Sequence, residues 1–226
     1  MPARQQRVGL VIRVVYALLN ARTGRRLAAR DARHDPPAYR DRLARMKSDE
    51  ARSRSRAGLW LLQQTLADAG HPHTTLGRID ISPDGRPFID GAPMFSISHS
   101  ESLVACALGD GSAIGLDVEY RRPRDMQRMA RLLDAPEQRH VIDEPTAFFD
   151  YWCAREATVK ASGRVGLKRI RALALDGDTA RLDDRTWWLN GLELADGYAA
   201  CLAGDSPFEA IDIRDFSDRL AENTDR

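Results

Sequence analysis

The chain has 226 residues, 43% hydrophobic and 30% charged, enough to bury one large core or two small fused ones, so disorder is not the expectation. No apolar run reaches the roughly 18 residues of a membrane span and the N-terminus lacks a small-residue cleavage pattern, so a cytoplasmic, membrane-free protein is expected. Cys106, Cys153 and Cys201 have neither disulfide-framework nor metal-ligand spacing and read as small buried hydrophobes. The formal net charge of +1 conceals a basic front: residues 1–60 carry 15 Lys+Arg against 5 Asp+Glu. Such a segment fits an anionic partner, whether nucleic acid, a phosphate-rich small molecule or an acidic protein surface.

In chain order, Val8–Leu19 is apolar and β-branched and predicts a first strand, with turn chemistry over Asn20–Gly24. Residues 21–56 are arginine-rich, broken at Pro36-Pro37, and lead into a helix from about Ala51 to Ala69 whose apolar face holds Leu59, Leu62 and Leu66 and which Gly70 ends. Asp84-Gly85-Arg86-Pro87-Phe88 is a turn presenting an arginine. Strands are predicted at Met94–Ser98, Leu103–Leu108 and Ala113–Glu119, the last two joined by a hairpin-type Gly109–Ser112 link. Helices fill 125–163, the clearest beginning near Pro145 and stopping at Gly163. β-like segments follow around 170–175, 186–195, 197–203 and 208–213.

At a constant offset of 95, Ala105–Glu119 matches Ala200–Arg214 without gaps, five of 15 positions being identical. The fold class expected from this is α+β, with two similar α/β halves, 1–112 and 113–226, related by a pseudo-two-fold axis and an active site at their junction. Two unrelated Gly-Asp hairpins between apolar strands are the alternative explanation. Arg214 stands opposite Glu119, so one half alone owns an acid pair.

That pair lies in Ile114-Gly115-Leu116-Asp117-Val118-Glu119, where alternation turns Leu116 and Val118 to the core and Asp117 and Glu119 to the other face. Adjacent like charges call for a cation, and Mg²⁺ takes one or two carboxylates and completes its shell with waters and phosphates; an exposed strand edge would look the same. Phe148, Trp152, Glu156 and Lys160 recur every four residues and form one row along a helix face. An ordinary i,i+4 ion pair would explain the last two, although a chain with 31 arginines and 3 lysines keeps lysine here. Phe95-Ser96-Ile97-Ser98-His99-Ser100 ends a strand in hydrogen-bonding side chains, where His99 is either structural or a phosphate ligand.

In order and spacing these elements resemble the 4′-phosphopantetheinyl transferase superfamily, in its larger single-chain, surfactin-synthetase type. Ile114–Glu119 meets the first signature, Trp152-Cys153-Ala154-Arg155-Glu156-Ala157-Thr158-Val159-Lys160 the second, Phe95–Ser100 an upstream element and Gly85-Arg86-Pro87 a turn before it. The resemblance implies transfer of the phosphopantetheine arm of coenzyme A onto a serine of an apo acyl or peptidyl carrier protein, releasing 3′,5′-adenosine bisphosphate. It implies Mg²⁺ on Asp117, Glu119 and Glu156, catalysis by Glu156, Lys160 and Asp117, and coenzyme A held by Arg54, Arg86, Ser98, His99 and Lys160. Residues 1–112 would grip the nucleotide and 113–226 supply metal and lysine, in a monomer with no nucleic-acid or membrane partner. Arg155 replaces the usual lysine and is expected to act only electrostatically; Glu137 falls where an acid near the metal is common. The alternatives are a magnesium-dependent phosphohydrolase and a basic nucleic-acid-binding protein, the latter without helix-turn-helix, zinc or stacking signals.

Overall fold

The computed structural model describes residues 10–109, 112–122, 126–164 and 166–224. Strand β1 (Leu10–Leu18) leads to helix α1 (Ala21–Ala29), capped by the Asn20 side chain, which accepts the Thr23 N–H at 2.9 Å. Pro37 opens α2 (Pro37–Ala44), a position where its missing N–H costs nothing. Helix α3 (Asp49–Asp68) is capped by the Ser48 hydroxyl, carries Asp49 and Glu50 in its first turn, and is followed by Gly70 at φ +85°. The short strands β2 (Asp80–Ile81) and β3 (Pro87–Phe88) precede β4 (Phe95–Ser100), β5 (Leu103–Leu108) and β6 (Ile114–Tyr120). Helices α4 (Met126–Ala130), α5 (Ala135–Asp143), α6 (Ala147–Ala161) and α7 (Leu167–Ala172) follow. The chain continues through β7 (Ala174–Asp176), β8 (Thr179–Leu182), β9 (Arg185–Gly191), β10 (Tyr198–Gly204), β11 (Phe208–Asp215) and α8 (Ser217–Thr224).

The mixed α+β expectation is met by two main sheets, ordered β11-β1-β5-β4 and β6-β10-β9-β8-β7. The odd-numbered Val15 and Ala17 of β1 pack with α3, whereas Ile12 and Val14 join Ile114, Leu116 and Val118 of β6 in a core between the sheets. Helix α6 covers the far face of the second sheet with Phe148, Cys153, Ala157 and Ala161. All three cysteines are buried and burial pushes their thiols up, that of Cys201 to about 12, so none is poised as a nucleophile. Among the described residues no helix is long and apolar enough to cross a membrane.

Three local expectations are corrected. Gly109–Ser112 does not close a hairpin: β5 already has β1 and β4 on its two edges, so β6 crosses to pair with β10; residues 110 and 111 of that link lie outside the described ones. Segment 170–175 is split between α7 and β7, because Ile170 is buried and the Ile170 and Leu173 carbonyls are taken by the Arg155 guanidinium, each at 2.8 Å. Part of the basic front is structural: Arg56 is buried in an ion pair with Asp35 and donates to the Leu27 and Ala28 carbonyls, fastening α3 to α1.

Candidate functional site

The seam between β6 and α6 is unusually close, and residue 115 is the reason. A Cβ at Gly115 would lie 2.0 Å from the Ala157 carbonyl oxygen and 2.5 Å from the Ala161 nitrogen. Only glycine lets the helix backbone rest on the strand there. The strand face that carries Gly115 also carries Asp117 and Glu119, so the close approach delivers the helix row to the acid pair. Phe148 stacks on Trp152 at 5.8 Å between ring centroids, and the row then continues through Glu156 to Lys160. Gly163, at φ +80°, ends the helix just beyond.

Lys160 does not pair with Glu156, its i−4 neighbour. Its ammonium donates to Asp117 Oδ1 at 2.6 Å, to Ser98 Oγ at 3.0 Å and to the Leu116 carbonyl at 3.1 Å. Asp117 is 5% exposed, and its Oδ2 is buried without a hydrogen-bond partner. The Glu156 carboxyl is half-buried; burial raises its pKa first, Asp117 and Glu119 raise it further, and Lys160 pulls the other way. Glu156 thus senses all three of the other charges. Among the described residues no three His, Cys, Asp or Glu side chains already converge as a metal-ligand set.

Strand β4 meets β6 through side chains rather than through a main-chain ladder. The Leu116, Val118 and Tyr120 N–H groups donate to Ser96, Ser98 and Ser100 Oγ at 2.9, 3.3 and 3.0 Å. Ser98 Oγ donates in turn to Asp117 Oδ1 at 2.9 Å, and Ser100 Oγ to Glu119 Oε2 at 3.0 Å. Reading the sequence singled out Ser98 and missed Ser100; the signal was the period-two run Ser-x-Ser-x-Ser, which faces β6.

Beside this seam lies a cavity of about 230 Å³ lined by Tyr39, Arg42, Arg86, His99, Lys160 and Gly163, among others. Burial lowers the Arg86 pKa, so its charge lacks full solvation. The exposed His99 also has a lowered pKa, first through partial loss of water and then through the charge of Arg54. Arg54 itself lines a neighbouring cleft and donates to the Glu101 carbonyl at 3.4 Å. The structure therefore brings together Asp117, Glu119, Glu156, Lys160 and Ser98, sets Arg86 and His99 alongside, and leaves Arg54 one cleft away.

Arg155 and Glu137 point elsewhere. Arg155 is fully buried; beyond the two α7-end carbonyls it donates to Asp134 Oδ2 at 2.9 Å and to both Glu137 carboxylate oxygens at 2.8 Å. Glu137 Oε2 also accepts the Asp134 N–H, closing a capping box at the start of α5. This is an anchor that ties α5, α6 and α7 together.

The fold and site define an α+β protein whose acids and cations lie along one helix–strand seam. Residues 113–203, which contain that seam, match the 4′-phosphopantetheinyl transferase superfamily. The chain is 30% identical over 167 residues to the 4′-phosphopantetheinyl transferase HetI of Nostoc sp., a match spanning 66% of this chain and 70% of that one. It is 32% identical over 113 residues to the 4′-phosphopantetheinyl transferase psf-1 of Bacillus pumilus, and 36% over 93 residues to AcpT of Salmonella typhimurium. Those two matches span 45% and 35% of this chain, and 48% and 46% of the relatives. The chain belongs to the 4′-phosphopantetheinyl transferase superfamily and is a transferase.

Proposed function

We propose that this protein moves the 4′-phosphopantetheine arm of coenzyme A onto a serine hydroxyl of an apo acyl or peptidyl carrier protein, in a magnesium-dependent reaction that releases 3′,5′-adenosine bisphosphate. The observation that carries the reading is that Asp117, Glu119, Glu156 and Lys160 lie along one seam, near enough for Glu156 to feel the other three charges. The donor set is carboxylate oxygen, which suits a hard divalent cation, and Asp117 Oδ2 is a buried acceptor without a hydrogen-bond partner. Asp117, Glu119 and Glu156 would hold Mg²⁺, which when bound polarises the pyrophosphate and offsets charge on the leaving group.

The protein's own groups supply the rest. Glu156, whose proton affinity is raised by its surroundings, takes the proton of the attacking serine hydroxyl, directly or through a water. Lys160, held at the floor of the cavity, offers its ammonium to the pyrophosphate and steadies the departing bisphosphate. Arg86 and His99 line the same cavity and hold the adenosine and its 3′-phosphate, with Arg54 adding positive charge from the next cleft. Asp117 and Lys160 share a hydrogen bond, so acid and cation are set before substrate arrives.

In this reading residues 1–112 form the nucleotide side and 113–226 the metal side, with the site at their junction in a monomeric, cytoplasmic protein. A duplicated ancestry is supported by the matched strands: β5 and β10, then β6 and β11, fall at nearly the same offset as the repeat, as do α3 and α6. The test is mass spectrometry of apo carrier proteins incubated with this protein, coenzyme A and Mg²⁺. The expected result is the added mass of one phosphopantetheine on the carrier; coenzyme A turnover independent of carrier would overturn the proposal.

A further inference from the structure

Two of the three serines of β4 do two jobs with one atom each. A hydroxyl has one proton and two lone pairs. In Ser98 and Ser100 a lone pair accepts the N–H of a β6 residue, while the proton goes to the carboxylate of the residue just before it: Val118 N–H with Asp117, Tyr120 N–H with Glu119. Ser96 makes the same contact with the Leu116 N–H, but the residue before Leu116 is Gly115, which has no side chain to hold. One three-rung ladder thus contains two rungs that grip an acid and one that does not.

We infer that Ser98 and Ser100 are positioning residues that fix the orientation of the acid pair, with Ser100 setting Glu119. The inference rests on the proposed metal-binding role of Asp117 and Glu119. Two carboxylates two residues apart on a strand repel each other, and a free side chain relieves that repulsion by rotating away. A donor bonded to each keeps both oxygen sets turned to the α6 side, where Glu156 stands. Ser98 is anchored further by Lys160 at 3.0 Å, so it ties Asp117, Lys160 and the Val118 backbone into one unit. Ser100 has no such second anchor in its ladder and controls a single carboxylate, which makes its removal the cleaner perturbation.

The experiment titrates the full chain with Mn²⁺ in the presence of coenzyme A, following free Mn²⁺ by electron paramagnetic resonance, and records melting temperatures in parallel. Groups that orient a metal ligand typically change metal affinity about 10–100-fold when removed. Ser100→Ala is expected to weaken Mn²⁺ about 10-fold or more, Ser100→Thr to restore most of the affinity, and Ser96→Ala to lower the melting temperature by a similar amount while keeping the affinity. Unchanged Mn²⁺ binding in Ser100→Ala, or an equal loss in Ser96→Ala, overturns the positioning role and leaves the metal assignment standing. Absence of Mn²⁺ binding by the unsubstituted protein overturns the metal assignment and this inference with it.

Discussion

The sharpest test of the seam is Gly115→Ala, because it perturbs geometry without touching a charged group. The added methyl would fall 2.0 Å from the Ala157 carbonyl oxygen and 2.5 Å from the Ala161 nitrogen, whereas carbon and oxygen normally approach to about 3.3 Å. Both obstacles are backbone, so no side-chain rotation relieves them, and α6 must move off β6 by roughly 1 Å, the shortfall between those separations. Glu156 and Lys160 ride on that helix, and the 2.6 Å contact from Lys160 to Asp117 opens with it. A displacement of 1 Å in a catalytic group costs about 10²-fold in rate, and overpacking about 1–3 kcal/mol in stability. Gly58→Ala is the comparison, since its methyl would meet the Ile97 Cγ2 side-chain atom at 2.7 Å and lies over β4 rather than under the acid row. Transfer to an apo carrier, followed by mass spectrometry on protein that melts cooperatively, is expected to fall about 10²-fold for Gly115→Ala and far less for Gly58→Ala. Wild-type turnover in folded Gly115→Ala would refute the argument that close packing delivers the helix row to the acid pair.

Glu156→Gln is expected to lose transfer by about 10²-fold or more, while Lys160→Ala lowers turnover or weakens coenzyme A binding and keeps its dependence on Mg²⁺; normal rates in both would reduce the row to a surface feature. Glu156→Gln also has a stability signature in metal-free protein. With its folded pKa raised, Glu156 contributes stability that is full below the ordinary carboxylate range and lost as pH rises through the raised value. The Gln variant should therefore melt higher than wild type near neutral pH and alike in acid; a lower neutral melting temperature would contradict the raised pKa. Arg155→Ala strands the buried Glu137 carboxylate without its cation and should cost about 3–5 kcal/mol in denaturant unfolding; a loss under about 1 kcal/mol, typical of an exposed pair, would show that the anchor is not what holds α5 to α6. Chelation with excess EDTA should stop transfer and added Mg²⁺ restore it, and full activity in EDTA would end the metal mechanism.

What was legible in the sequence was local. Period-two alternation placed Leu116 and Val118 in the core and Asp117 and Glu119 on the opposite face, and the glycines after α3 and α6 marked both helix ends. Strand neighbours were not legible, because pairing is decided by which edges remain open. Gly109-Asp110-Gly111-Ser112 carries good hairpin chemistry, but the edges of β5 belong to β4 and to β1. For the same reason nothing near Phe208 announces that β11 will run parallel to β1 at the other end of the chain. The Arg155 departure from lysine became intelligible only with its partners. A planar guanidinium reaches two carbonyls and two carboxylates at once, which an ammonium on a flexible stem does less well. Its burial leaves it no path to a reacting proton.

Charge balance at the seam points the same way as its geometry. Among the described residues the seam is rich in acid: Asp117, Glu119 and Glu156 lie near the Lys160 ammonium, an excess that a divalent cation would offset. The cost of that excess is visible in Glu156, whose proton affinity is raised by burial and by Asp117 and Glu119 against the opposing pull of Lys160. Were a cation held there it would relieve that cost and favour the ionised form of Glu156, the form the proposed proton-accepting role requires. On the proposed reading the negative charge of a pyrophosphate would lie on the other side of Lys160, where the cavity holds Arg86 with its charge disfavoured by burial. An anion there stabilises a cation that water no longer does. Lys160 stands on the boundary of both regions, lining the cavity while bonded to Asp117, so cation and anion binding are expected to strengthen each other through it.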